Sequence, residues 1–179
     1  MKIKKFIYKK VNSTNDLAIR KIKQGYRRGI IVAEKQKKGR GRHGRKWLSF
    51  KGNLFLSVFF KINENKSIIK INQFNCNIIK KILTKIFKIK ISIKLPNDLL
   101  INGKKICGIL QETFFFNKKK FLIVGIGINL VKNPFISDYP TTNLLKETGL
   151  KIKNEKIANF IKKKYEINLK KFAINDWID

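Results

Sequence analysis

The chain has little of what metal and redox chemistry use. Its 179 residues include one histidine, one methionine and two cysteines. A single histidine, His43, cannot build a His-rich zinc site and argues against a Ser-His-Asp triad. Cys76 and Cys107 make no disulfide framework, and a reducing cytoplasm is the simplest compartment. No apolar run reaches the 18 or so residues of a spanning helix. The longest, residues 121–131, holds two glycines and Asn129. The basic N-terminus lacks the apolar segment of a signal peptide, so no membrane is expected as a partner. There are no repeats and no linker, and the length suits one domain, taken as residues 1–179. Acids are scarce as well: 11, against 42 lysines and arginines.

The resulting formal charge of +31 invites a nucleic-acid reading. Its distribution argues otherwise. Only six of the basic residues are arginine, the lysines are scattered instead of forming a stripe, and isoleucine and asparagine are also abundant. That mixture reads as compositional drift, so no specific nucleic-acid partner is expected. Drift still leaves a field that attracts anions. It cannot account for Arg40, Arg42 and Arg45 falling within six residues. A planar guanidinium binding phosphate or carboxylate through two N–H groups is the usual reason lysine will not substitute.

Hydrophobic spacing predicts strands at residues 3–8, 30–35, 54–61, 91–95, 99–101, 104–116 and 121–130. Helices are predicted from the caps at residues 13–16 to Gly25, and over 67–88, 141–148 and 154–172. Asn102 and Gly103 mark a hairpin. Consecutive hairpins with helices at intervals give an α+β fold with a mixed, largely antiparallel central sheet.

Four segments carry chemistry. Residues 36–46 form a loop with three glycines and no apolar residue, and from Lys35 to Lys46 there are seven cations and no acid. Ordering such a loop costs about 1–2 kcal/mol per residue, which an anionic ligand would offset. The expectation is closure over a phosphate-bearing compound. Ser13, Thr14 and Asn15 begin a helix. Lys94, Leu95, Pro96, Asn97 and Asp98 form a bend to which strand alternation returns Lys105, followed by Gly108. Gly125 and Gly127, two apart on one strand face, leave a flat floor for a ligand or another backbone.

Taken in order, STN at 13–15, GRGRHGRKW at 39–47, KLPND at 94–98 with Lys105 and GIL, and GIGIN at 125–129 resemble the catalytic domain of biotin–protein ligases. Leu95 stands where that family usually has an aromatic. The resemblance implies a class II synthetase-like fold and a reaction of biotin with ATP and Mg²⁺. Biotinoyl-5'-AMP would form and pass to a lysine of the biotin carboxyl carrier protein of acetyl-CoA carboxylase, with no tightly bound prosthetic group. By matching positions, Ser13, Thr14, Asn15 and Gln36 meet the biotin head group, with Arg40, Gly41, Arg42, Lys105 and Gly108 completing that site. Arg40, Arg42, Arg45, Trp47, Asn97, Lys105, Gly125, Gly127 and Asn129 serve the adenylate. Arg42 and Lys105 act at the reacting centre, and no residue is assigned to hold a metal.

A carboxylate is already a nucleophile, so adenylation needs positioning and charge neutralisation and no base. The acceptor lysine, with a pKa near 10.4, is only roughly 10⁻³ deprotonated at pH 7, and Asp98 is the candidate to receive its proton. The pattern starts almost at residue 1, so an N-terminal winged-helix domain is expected to be absent, and so is a C-terminal SH3-like domain. A monomer or a homodimer would both be compatible. A lipoate or octanoyl transferase of the same fold, and a basic nucleic-acid-binding protein, are the alternatives.

Overall fold

A computed structural model describes residues 2–63 and 67–172, with side chains through residue 169; residues 1 and 173–179 of the expected domain lie outside it. Seven strands of the described residues form one sheet: β1 (Lys4–Val11), β2 (Arg28–Gln36), β3 (Leu54–Lys61), β4 (Ser92–Lys94), β5 (Asp98–Ile101), β6 (Lys104–Phe116) and β7 (Lys119–Ile128). Their order is β1-β2-β3-β7-β6-β5-β4. Only β1 and β2 run parallel, and every other neighbouring pair is antiparallel. Among the described residues, four α-helices accompany the sheet: α1 (Thr14–Lys23), α2 (Ile68–Phe87), α3 (Leu144–Thr148) and α4 (Asn154–Phe172). The α+β expectation holds.

Strand alternation divides the interior in two. Leu54, Leu56, Val58 and Phe60 of β3, with Leu122, Val124, Ile126 and Ile128 of β7, join α2 and α4 in the main core. The intervening residues Phe59, Phe121 and Ile123 pack with Ala18 and Ile22 of α1. On that second face the odd-numbered residues of β7 are apolar at 121 and 123 and then become Gly125 and Gly127. The face thus changes from core to the floor of a cleft within one strand.

Two details depart from the sequence reading. Helix 141–148 is shorter, because Asn143 caps α3 by accepting from the Lys146 amide at 2.9 Å. Thr141 instead lies beside Lys105 in an isolated parallel bridge. The register of β5 on β6 also shifts between Leu99 and Leu100. Cys107 pairs with Leu99 and Lys105 with Leu100, so Ile106 is an extra residue. Such a bulge reverses which way the following side chains face. Ile106 enters the main core, and Lys105 turns to the same side as Gly108, into the cleft. Among the described residues, no helix is long and apolar enough to cross a membrane.

Candidate active site

The cleft on the α1 face has a volume of about 380 Å³. One end is buried and neutral. Ser13 is the N-cap of α1, its Oγ accepting from the Asp16 amide. Thr14 donates to Gln36 Oε1 through its amide at 2.8 Å, and its hydroxyl lies 3.1 Å from the same oxygen. Ser57, fully buried on β3, hydrogen-bonds Thr14 Oγ1 at 2.7 Å and donates to Asn15 Oδ1. Asn15 Nδ2 donates to Glu112 Oε2 at 2.6 Å. The amide and hydroxyl groups at this end are therefore oriented before any ligand arrives.

The other end is cationic and exposed. The loop after β2 folds back on itself: the Gly41 amide donates to Arg45 O at 2.7 Å and the Trp47 amide to Gly39 O at 3.0 Å. His43 and Gly44 at its tip both have positive φ, 54° and 72°. One of the loop's cations is met by acids outside the loop. Arg40 Nη1 is 2.7 Å from Asp16 Oδ1 and Nη2 is 3.3 Å from Glu112. Partial burial works to lower the Arg40 pKa, but the bond to Asp16 and the charges of Glu112 and Asp16 outweigh it. The guanidinium ends above its ordinary value. Arg40, assigned above to the adenylate, is thus engaged with two carboxylates. Arg42, Arg45 and Lys46 are exposed on the cleft rim.

Between the ends lies Lys105, its ammonium 2.8 Å from Asp98 Oδ1. It sits 5.5 Å from the ring centre of Trp47 and 5.1 Å from that of Tyr139. Backbone bonds from Lys105 to Pro140 O (2.9 Å) and from Thr142 to Lys105 O (3.0 Å) hold the residues after Tyr139 against it. Asn97 closes the bend by donating through Nδ2 to Ile109 O at 2.9 Å. Behind this group, burial pushes the Cys76 thiol up to about 11 and the Cys107 thiol well above its ordinary value.

The floor is not left bare. A β carbon on Gly127 would meet the Trp47 ring at 2.4 Å, and one on Gly108 would meet it at 2.6 Å. These two glycines are cross-strand partners, so the indole lies across the pair. A β carbon on Gly125 would meet Asn15 Oδ1 at 2.5 Å. The glycines seat two side chains of the protein itself. The Trp47 indole N–H is buried and has no hydrogen-bond partner among the described residues.

Every sequence-predicted site residue lines this cleft except Asn129. Asn129 is buried behind it, donating to Thr142 O at 3.2 Å and through its amide to Ile106 O at 2.8 Å. It fastens the end of β7 to the bulge and to the approach to α3. Four residues escaped the sequence reading: Asp16, Ser57, Glu112 and Tyr139. Ser57 was signalled by being the one polar residue within LFLSVFF, and Glu112 by being an acid in a chain with so few.

Residues 7–129 match the biotin/lipoate A/B protein ligase family. The chain belongs to that family. It is 33% identical over 123 residues to the bifunctional ligase/repressor BirA of Escherichia coli, covering 67% of this chain and 38% of that protein. To BirA of Bacillus subtilis it is 35% identical over 134 residues, covering 69% of this chain and 40% of that one. The chain thus spans less than half the length of these relatives. Its fold superposes on biotin protein ligase from Aquifex aeolicus in complex with biotin and ATP. The TM-score is 0.79 and the identity 32%, covering 94% of this chain and 71% of the other.

Proposed function

We propose that this chain activates biotin with ATP as biotinoyl-5'-AMP and transfers the biotinoyl group to a lysine of a biotin carboxyl carrier protein. One observation carries the reading: a single cleft joins a buried, neutral hydrogen-bonding end to a cationic end, with Lys105 between them. A ureido head group offers both N–H donors and a carbonyl acceptor, which suits Ser13, Thr14, Asn15 and Gln36. A lipoyl or octanoyl tail has no polar head to satisfy them, and buried polar groups left unpaired are costly. That favours biotin over the acyl chains handled elsewhere in the family.

The bound acid would lie with its carboxylate toward Lys105. The ammonium there draws the carboxylate and the α-phosphate together, two anions that repel until a fixed cation lies between them. Arg42, Arg45 and Lys46 would receive the remaining phosphate charge, and Arg40 would hold the loop in place. Trp47 would offer its free indole N–H and ring edge to the nucleotide. Asp98 fixes Lys105. To serve as proton acceptor for the incoming amine, it would have to exchange that partner first. Among the described residues no group of three His, Cys, Asp or Glu side chains is placed to hold a metal, and Asp98 is the one carboxylate lining the cleft. Mg²⁺ would therefore be held chiefly by the phosphate oxygens of ATP and would neutralise charge there.

The test is incubation with biotin, Mg-ATP and a carrier domain, following pyrophosphate release and lysine modification by mass spectrometry. Biotin-dependent release with modification of one carrier lysine is expected. Release driven equally by lipoate or octanoate, or none with biotin, would overturn the reading.

A further inference from the structure

We infer that Glu112 is a positioning residue that ties the cationic loop to the head-group pocket, so that filling the pocket and docking the loop reinforce each other. Its carboxylate accepts from Asn15 Nδ2 at 2.6 Å on one side. On the other it meets Arg40 Nη2 with both oxygens at 3.3 Å. Asn15 is joined through Ser57 to Thr14 and Gln36. The bonds therefore form one chain from the floor of the pocket to Arg40, the second residue of the GRGRHGRKW segment, with the Glu112 carboxylate joining pocket to loop.

The geometry places Glu112 where alternation along β6 requires. Gly108 and Leu110 line the cleft, and the same alternation puts Glu112 on that side of β6 behind Asn15 and Arg40, while Ile109 packs into the main core. Arg40 and Glu112 are each about one-third exposed, so their attraction is neither fully screened nor burdened by full desolvation. A ligand that fixes Asn15 fixes the carboxylate with it and favours the docked arrangement of Arg40. By linkage, a docked loop must favour the ligand by the same factor.

Tryptic cleavage within the loop reads this directly, since Lys37, Lys38, Arg42, Arg45 and Lys46 all lie there. The full chain is compared with Glu112→Gln, Arg40→Gln and the double variant, mapping cleaved peptides by mass spectrometry. Glu112→Gln keeps an acceptor for Asn15 and removes the charge facing Arg40. Without ligand, its loop should be cut about tenfold faster than wild type. The double variant should be no faster than Arg40→Gln alone, because losing Arg40 already removes the Glu112 contact along with the Asp16 pair. Biotin should slow cleavage several-fold in wild type and much less in Glu112→Gln.

Equal ligand-free cleavage of Glu112→Gln and wild type, or additive effects in the double variant, would overturn the inference. So would equal protection by biotin in both. The coupling to biotin rests on the function proposed above, and calorimetry separates the two. If biotin fails to bind wild type, that reading falls while the ligand-free rates still decide the clamp. Should Glu112→Gln not fold, Glu112→Asp, which keeps the charge but draws it back from Arg40, carries the test: cleavage as slow as wild type would overturn the clamp.

Discussion

The two ends of the cleft are built on opposite principles. At the Thr14 end, neutral side chains are buried and orient one another through short hydrogen bonds. At the Arg42 end, full charges stand in solvent on a loop that turns through two residues of positive φ. Buried neutral groups discriminate by geometry, because any ligand that fails to pair them leaves a desolvated donor or acceptor. Exposed cations discriminate weakly and attract at a distance. Under the proposed function, one end would choose the acid and the other would gather phosphate.

Removing the link between the ends should have the largest effect. Lys105→Ala should lower biotin-dependent pyrophosphate release by about 10²–10³-fold, the range for loss of a single preorganised electrostatic group. Single-turnover kinetics check it, and retention of most activity would mean the two ends do not need that cation. Next is Ser57→Ala, which leaves Asn15 Oδ1 short of a buried donor. At about 1–3 kcal/mol for such a group, biotin affinity measured by calorimetry should fall roughly tenfold, with little change in the KM for ATP.

Salt sharpens the contrast without mutation. Raising ionic strength shortens the Debye length from about 10 Å at 0.1 M to about 3 Å at 1 M. The KM for ATP should rise several-fold while the affinity for biotin hardly moves; parallel changes would erase the distinction drawn here. The smallest effect concerns the thiols behind Lys105 and Asp98. The folded state holds the Cys76 proton more tightly than the unfolded chain, its pKa being raised from 9.0 to about 11. Its contribution to stability is therefore complete below about pH 9 and declines as pH rises through 11. Thermal midpoints between pH 8 and pH 11 check that trend. At pH 8, thiol reagents should label neither cysteine until denaturant is added.

Much of this cleft was legible in the sequence because glycine, proline and clustered arginine cannot be placed freely. The hairpin at Asn102 and Gly103, the arginine loop and the strand holding Gly125 and Gly127 all stood out. The acids that answer the arginines were harder to see. Asp16 and Glu112 lie 24 and 72 residues from Arg40, and no local pattern connects them. The glycine floor was recognised, but its occupants were not, since nothing near Gly127 names Trp47 as the ring that covers it. Helix 141–148 was read too long because an asparagine that caps a helix looks, in sequence, much like one inside it.

The irregular pairing of β5 with β6 makes the position of the central cation a matter of counting. With Ile106 in excess, the chain delivers isoleucine to oil and lysine to water. Pair the strand regularly with Ile106 still in it and the parity of everything toward the Asn102 turn inverts, turning the ammonium in among aliphatic groups. Deleting Ile106 outright would instead leave Lys105 two residues from Gly108 and on the same face, so the damage would be a buried isoleucine missing from the core, not a misplaced charge.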